Sequence, residues 1–411
     1  MMEIGRQGHR CGKYRSRETA PAGLIATHFQ YSLIQKRFQH LLQSTQKNSS
    51  KSCDATRPQY LCAMQNSTSH GRSNPVAIWL LIGVFMIIVQ VLLGGITRLT
   101  GSGLSITEWK PILGALPPMN EADWNQAFEQ YKQIGQYKHL NFEFTLSDFK
   151  FIYFWEWFHR EWARFIGVVF IIPFIWFVVK RRIEKWMINP MIILFLLGLL
   201  QAMIGWIMVA SGLNDEMLYV DHIRLAVHFI SALGLLCYTL WFALRLLIPA
   251  SEQVIHPVMR QRTQWVLVLL VLQLLFGAFM AGLKAVHFAT TWPSINGEYI
   301  PSSLFTSNWS DLTHDPVAVH FIHRNLAYVL AVLIILWQVQ VKKIDGGQLF
   351  NRFTSIPAVL VLVQVVLGIL TVLYANNSTA LLWLGVSHQF TGMMLLLSLL
   401  VVLYFFARRK T

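Results

Sequence analysis

Eight long apolar runs dominate the pattern of hydrophobic and polar positions along the 411-residue chain. A helix that spans a bilayer needs about 20 consecutive, mostly apolar residues, and each run is at least that long. Backbone polar groups in lipid must be paired within the segment, so such runs predict helices. We therefore predict an all-α polytopic membrane protein with eight transmembrane helices, near residues 76–97, 152–179, 186–212, 221–244, 264–283, 317–341, 354–375 and 380–407.

The second run is the least typical, because ionisable side chains lie at its head. Its uncharged stretch after Arg164 is 15 residues long, so these charges must enter the membrane if the run is to span. Charges at that depth are costly and indicate function by default. Glu156 and His159 are three residues apart, which places both on one helix face. The ionisable residues of this head are Glu156, His159, Arg160, Glu161 and Arg164.

A repeated motif relates the runs to one another. The sequence Gln-x-x-x-Gly occurs in every odd-numbered run, always toward the same end of the predicted bundle. The four copies begin at Gln90, Gln201, Gln273 and Gln364. Self-similarity of this kind predicts a tandem duplication into two four-helix bundles, an N-terminal half at 76–248 and a C-terminal half at 263–408.

Composition supports the membrane interpretation and explains the net charge. Hydrophobic residues make up 54% of the chain and charged residues 13%, against about 25% charged in a typical soluble domain. The charge of +14 comes from basic residues between the apolar runs, so we expect a lipid environment and no nucleic-acid partner. Except in the basic loop after the first run, Lys and Arg follow the even-numbered runs. This bias predicts both termini in the matrix, or in the cytoplasm if the protein is not mitochondrial.

The first 75 residues have a different character. They contain eleven Lys or Arg residues against three acids, many Ser, Thr and Gln, and no long apolar run. This composition predicts a mitochondrial transit peptide continued by a disordered arm, and hence a location in the mitochondrial inner membrane. The alternative is a basic cytosolic tail on a plasma-membrane protein.

Each even-numbered run carries a histidine near its beginning, at His159, His228, His323 and His388. All four lie at similar depth, in the leaflet opposite the basic loops. Two histidines per half on alternate helices suit a bis-His haem site, in which all four are axial ligands of haem iron. The alternative is that each is a buried hydrogen-bonding residue. His320 competes with His323 on spacing, but the repeat favours His323, which is followed by Arg as His159 is.

Two further features have competing interpretations. The Gly of Gln-x-x-x-Gly permits close helix approach and the Gln can bond across a bundle, so we favour a structural role over one that lines a haem edge. Glu156 lies one turn before His159, whereas His320 holds the equivalent place before His323. This difference favours chemistry in the N-terminal half, with Glu156 as the proton-handling or substrate-orienting group. The alternative is an ion pair of Glu156 with Arg160.

Several segments resemble the heme A synthase family in its mitochondrial and alphaproteobacterial type. They are the stretch from Gly94 to Pro118 (GGITRLTGSGLSITEWKPILGALPP), Glu156–Arg160, Arg224–His228, His323–Arg324 and Ser387–Gln389. The resemblance covers about residues 76–408. It implies a haem-dependent oxidoreductase that oxidises the C8 methyl of heme O, through a hydroxylated intermediate, to the formyl of heme A for cytochrome c oxidase.

The resemblance also implies roles for residues and partners. His159 and His228 hold the substrate haem, His323 and His388 hold a resident haem b, and Glu156 matches the essential carboxylate. The implied partners are heme O, an electron donor such as a ferredoxin, heme O synthase, oxidase assembly factors and a second copy of the chain. Three arginines either pair with haem propionates or have an interfacial role. These are Arg98, Arg164 and Arg224.

Two other classes of protein compete with this reading. A dihaem b-type electron-transfer protein would hold both haems permanently and modify neither. A transporter also uses repeated bundles, but its site normally lies at the midplane beside broken helices. The four histidines lie instead in one leaflet.

Overall fold

Eight long helices make up most of the chain. The computed structural model describes residues 75–108, 113–214, 216–305 and 308–406, so the predicted targeting segment before Pro75 lies outside the described residues. The helices are α1 (Pro75–Leu99), α2 (Leu146–Val179), α3 (Lys185–Ala210), α4 (His222–Leu247), α5 (Pro257–Gly282), α6 (Pro316–Val341), α7 (Ile356–Leu373) and α8 (Ser378–Phe405).

All eight helices are long and apolar enough to cross a membrane, with a short helix preceding α7 in the same span. The described residues contain no β-strand beyond two isolated bridges. The predicted all-α polytopic fold with eight spanning helices is therefore confirmed. The short α-helices are Glu121–Tyr131, Gly135–His139, Asp311–His314 and Gly347–Thr354, and the short 3-10 helices are Leu113–Ala115, Ala250–Glu252, Ala285–Phe288 and Ser302–Phe305.

Local sequence signals set where the helices begin. Thr145 and Asp148 form a reciprocal capping box at the start of α2, which satisfies backbone N–H groups left free in the first turn. Asp315 accepts from the backbone N–H of Ala318, and Pro316 follows it in the first helical position of α6. The capping box explains why α2 begins six residues before the predicted run at 152.

Four helices lie at the centre of the bundle. α1, α4, α5 and α8 pack against one another, while α2 and α3 lie outside α1 and α4, and α6 and α7 lie outside α5 and α8. α1 and α8 are the most buried of the eight, and α2 and α3 are the least. From Pro75 onward the described residues form one compact unit, so the two predicted halves share a core.

A proline in α2 is matched by an indole from α1. Pro173 has no N–H, so the carbonyl of Val169 lacks its usual helical donor. The indole nitrogen of Trp79 donates to that carbonyl at 2.8 Å. A free carbonyl is costly in lipid, and this bond both satisfies it and fixes α2 against α1.

The loop between α1 and α2 covers one end of the bundle. We call this end, where the described loop residues 100–108, 113–145, 283–305 and 308–315 lie, the loop end. An aromatic cluster packs the short helix Glu121–Tyr131 onto the start of α2 through Phe128 and Phe149. The backbone N–H of Gly135 donates to the carbonyl of Asn214 at 2.9 Å, which joins this loop to the α3–α4 connection.

Candidate haem-binding cavity

Each repeat histidine is held by the glutamine of the preceding long helix. Gln90 donates from Nε2 to the backbone carbonyl of His159 at 3.1 Å. The other three glutamines reach the imidazole ring itself. These contacts are Gln201 Nε2 to His228 Nδ1 at 3.1 Å, Gln273 Nε2 to His323 Nδ1 at 3.1 Å, and Gln364 Nε2 to His388 Nε2 at 3.2 Å. A bond from the neighbouring helix therefore fixes each histidine.

The glycine of each motif makes room for the same ring. A Cβ added at these glycines would crowd the imidazole of the next long helix. The added Cβ would lie 3.3 Å from His159 Nε2 at Gly94, 2.7 Å from His228 Cε1 at Gly205, 3.2 Å from His323 Cε1 at Gly277 and 3.1 Å from His388 Cε1 at Gly368. Gln-x-x-x-Gly thus positions the histidine of the following helix, which agrees with the structural role favoured from the sequence, and its residues also line the cavity.

Two buried polar atoms beside the C-terminal histidine pair lack partners. Oε1 of Gln273 has no hydrogen-bond partner among the described residues, and neither has Nδ1 of His388. A metal-ligating histidine offers one ring nitrogen to the metal and uses the other for a hydrogen bond. The unpartnered ring nitrogen of His388 therefore fits a histidine that binds a metal.

His323 and His388 face each other at a separation that fits one metal. Their ring centroids are 6.3 Å apart, with the ring planes at 72°. Two metal–nitrogen bonds of about 2 Å, plus about 1 Å from each nitrogen to its ring centre, give about 6 Å. His159 and His228 lie within electrostatic range of each other and both line the cavity described next.

A cavity of about 890 Å³ runs past both pairs. All four histidines and their four glutamines line it, and most of its other lining residues are apolar. This volume is in the upper range for small-molecule and cofactor sites. Among the described residues, no three His, Cys, Asp or Glu side chains cluster as ligands of one ion. The paired histidines and the apolar volume together fit haem.

Glu156 is buried at the loop end of the cavity, with 2% of its surface exposed. Its Oε2 accepts from the Ser105 hydroxyl at 2.7 Å and from the Ile106 backbone N–H at 2.9 Å. Its Oε1 accepts from Arg160, so the ion pair of the competing interpretation is present. Arg160 also donates to the carbonyl of Ile106 at 3.1 Å. The carboxylate both anchors the α1–α2 loop and borders the cavity.

In the C-terminal half an arginine also joins its helix to the preceding loop, but the side chain beside this arginine is a histidine instead of a carboxylate. His320 lies 3.0 Å from a guanidinium nitrogen of Arg324, as Glu156 lies beside Arg160. Arg324 also donates to the backbone carbonyls of Thr291 and Ser294, both at 3.0 Å, in the α5–α6 loop. His320 is thus occupied with the arginine, while His323 faces His388.

The three arginines predicted for propionates have different surroundings. Arg98 lines the cavity and donates to the backbone carbonyl of Ala281. Arg164 also lines it, and forms an ion pair with Glu161. Arg224 is exposed on α4, near the carbonyl of Ile207, and is not among the residues that line the cavity.

Sequence reasoning assigned no role in the site to two side chains of this region. Lys284 lines the cavity, and its Nζ lies 3.6 Å from the centre of the Tyr219 ring. Burial, and then the charge of Arg98, lower the Lys284 pKa from its usual value to about 8. Gln389, directly after His388, donates to the carbonyl of Val91 at 2.9 Å and lies against Gly95. The position of Gln389 beside a repeat histidine was a signal that could have identified it.

The fold and the cavity define a polytopic α-helical membrane protein that suits haem held between paired histidines. Residues 77–400 match the family described as cytochrome oxidase assembly protein. The chain is 40% identical to the heme A synthase of Flavobacterium psychrophilum over 339 residues, which cover 81% of the chain and 98% of that relative.

Two further relatives give the same result. The chain is 42% identical to the heme A synthase of Rhodospirillum centenum, over 79% of the chain and 86% of the relative. It is 39% identical to that of Brucella suis, over 83% of the chain and 95% of the relative. The chain therefore belongs to the heme A synthase family of cytochrome oxidase assembly proteins, and the resemblance drawn from its motifs is confirmed.

Proposed function

We propose that this protein oxidises the C8 methyl group of heme O to the formyl group of heme A. His159 and His228 hold the substrate in the N-terminal half, and His323 and His388 hold a resident haem b in the C-terminal half. The curated relatives named heme A synthase support the reaction. The matched histidine pairs along one cavity support the two haem positions.

The observation that carries the proposal is the unequal chemistry around otherwise matching histidines. Glu156 is the one carboxylate among the described residues that line the cavity. At the equivalent place the C-terminal half has His320, bonded to Arg324. A protein that only carried electrons would gain nothing from placing a buried acid in one half alone. This difference supports substrate oxidation in the N-terminal half.

The resident haem supplies a one-electron redox centre when it is bound. Within the C-terminal half, His323 and His388 would hold it, and Gln273 and Gln364 contact the two rings and so orient them. Where the lining is apolar, electrostatic contacts inside the cavity are stronger than they would be in water. Gln389 ties the α8 segment of His388 to α1 of the other half, so the two sites keep a fixed relation.

Glu156 handles protons or orients the substrate in the N-terminal half. Conversion of a methyl to a formyl group adds one oxygen atom, and with dioxygen as the oxidant and an added reductant it takes up protons as water forms. A positioned carboxylate is a suitable group to deliver those protons. Ser105, Ile106 and Arg160 hold this carboxylate in one orientation. Such support keeps a reacting group within the narrow geometry that catalysis requires.

Cations at the loop end suit the propionates of a haem. Arg98 and Lys284 both border the cavity there, and Arg164 borders it from α2. Guanidinium and ammonium groups are the usual partners of carboxylates in such sites. Arg224, exposed and outside the lining, fits the interfacial role better.

The test supplies heme O and a reductant to purified protein in nanodiscs under air. Pyridine haemochrome spectra and mass spectrometry of extracted haem are then expected to show heme A together with retained haem b. Extraction of haem b alone, with heme O bound nowhere, would instead identify a dihaem electron-transfer protein.

We place the protein in the mitochondrial inner membrane, with both termini in the matrix. The basic, acid-poor composition of the first 75 residues supports this location, and the Lys and Arg bias of the loops supports the orientation. Import into isolated mitochondria is expected to remove an N-terminal segment. Unprocessed protein that stays accessible to external protease would contradict the proposal.

A further inference from the structure

The two halves differ in how their outer helices meet. Among the described residues, α6 packs against α7, whereas α2 and α3 contact each other little except in the apolar cluster that contains Phe177 and Met191, away from the loop end. α2 and α3 nevertheless both line the cavity. Ile171, Phe195 and Leu199 border the cavity and are also about half exposed, at 46%, 45% and 49%. The cavity therefore opens sideways between α2 and α3.

Two glycines deepen this opening. Gly167 on α2 and Gly198 on α3 line the cavity, and a Cβ added to either would meet nothing within 4 Å. In the repeat, Gly167 corresponds to Ala331, because both lie eight residues after the first histidine of their half. Gly198 corresponds to Val361, because both lie three residues before the motif glutamine.

The corresponding residues of the C-terminal half carry side chains that are packed in the core. Val361 also borders the cavity, but it is 3% exposed and belongs to the main hydrophobic core, against which Ala331 packs. We call the region lined by Gly167, Ile171, Phe195, Gly198 and Leu199 the α2–α3 groove. It exists in the half that we propose to hold the substrate, and its counterpart is closed in the half that holds haem b.

The groove lies beyond the histidines, on the side away from the loop end. α2 begins at the loop end, so the eight residues from His159 to Gly167 carry the chain about 12 Å further into the bundle. α3 ends at the loop end, so Gly198 and Phe195 are also deeper than Gln201. The cations Arg98 and Lys284 lie at the opposite end of the cavity. A ligand in the N-terminal half can thus be polar at one end and apolar at the other.

We infer that the isoprenoid chain of the haem substrate occupies the α2–α3 groove and extends through it toward the lipid. This inference rests on the proposed function, since heme O carries such a chain and haem b does not. The groove lining is entirely apolar, and burial of an aliphatic chain there is favourable in proportion to its area. The opening also gives a membrane-dissolved substrate a sideways path to His159 and His228.

The test replaces a glycine of the α2–α3 groove with the residue found at the corresponding position of the C-terminal half. Gly198→Val places a branched side chain in the groove, as Val361 does in the other half. We expect the affinity for heme O to fall about tenfold, while the affinity of the same site for chain-free protohaem changes less than about twofold. Both are measured by titration of full-length protein in nanodiscs that already holds its resident haem.

A matched control separates the groove from general effects on helices. Gly234 on α4 also has nothing within 4 Å of an added Cβ, and it does not line the cavity. Gly234→Val is expected to leave both affinities unchanged. If Gly198→Val lowers the affinities for heme O and protohaem equally, or lowers neither, the inference is overturned. Because binding is measured, the result does not depend on whether heme A is formed.

A second measurement covers the case in which Gly198→Val fails to fold. Heme O with a photoreactive group at the end of its chain is bound to the unaltered protein and irradiated. Peptide mapping is expected to find the label on segments 166–171 and 195–202. A label on α6 or α7 would overturn the inference, as would a tightly held phospholipid in the groove that heme O does not displace.

Discussion

The N-terminal and C-terminal halves surround their histidines with the same supports but not with the same neighbours. In both, a glutamine bonds the histidine, a glycine makes room for its ring, and an arginine after the first histidine anchors the loop end. Only the surroundings differ: Glu156 against His320, and the open α2–α3 groove against packed α6 and α7.

Under the proposed function, this comparison separates the parts that would hold a haem from those that would change one. The shared parts fix the position of each histidine, as a metal ligand requires. The unshared parts supply an acid and space for an apolar chain, which an unmodified, permanently bound haem does not need. A duplicated bundle can therefore keep one scaffold while its two sites diverge through a few side chains.

The largest expected effect is at Glu156. Glu156→Gln keeps the shape and the bond from Ser105 but removes the acid, so heme A formation is expected to fall at least about 100-fold. Haem b content should stay the same, as measured by haemochrome spectra. His320→Gln, the matched change in the other half, should cost far less activity. Unchanged heme A formation in Glu156→Gln would remove the chemical distinction between the halves.

A smaller effect is expected at a glutamine of the C-terminal half. Gln273→Leu removes the bonds to the ring and the backbone of His323 while preserving most of the volume. Loss of an outer-shell partner usually weakens metal binding about 10- to 100-fold, so haem b should dissociate more readily. Retention is measured by transfer to an acceptor haem protein. The matched Gln201→Leu should instead weaken the binding of heme O. Equal effects of either variant on the binding of both haems would argue against separate sites.

The smallest effect concerns Lys284 and pH. Its pKa of about 8 means that the side chain is positively charged below pH 8 and loses this charge as pH rises through that value. Attraction for a haem propionate should therefore weaken above pH 8, by a few-fold at a partly exposed site. Lys284→Arg keeps its charge and should flatten the profile. A heme O affinity that is constant from pH 7 to 9 in the unaltered protein would exclude this contact.

Sequence was sufficient for the fold because apolar length alone identifies a spanning helix. It was less exact at the ends: α2 starts at Leu146, where a capping box of polar residues begins the helix before the apolar run. α7 covers Ile356–Leu373, with the separate helix Gly347–Thr354 before it. Hydropathy does not detect either boundary, because caps and turns depend on backbone hydrogen bonds.

For the site, the repeat predicted four equivalent histidines, and all four line the cavity, because repeated motifs place these residues in similar surroundings. It could not reveal the bond from Ser105 to Glu156 or from Gln389 to Val91. These contacts join segments that are far apart in sequence and are set by helix packing. The α2–α3 groove was missed for a related reason, since α2 and α3 are as apolar as the helices that do pack.

The central claim is that the N-terminal half holds heme O as substrate and the C-terminal half holds haem b. The most direct measurement is the haem composition of purified His159→Ala and His323→Ala variants, both supplied with heme O. We predict that His159→Ala keeps haem b and loses heme O and heme A, whereas His323→Ala loses haem b and still binds heme O. Equal loss of both haems from both variants would contradict separate roles for the two halves.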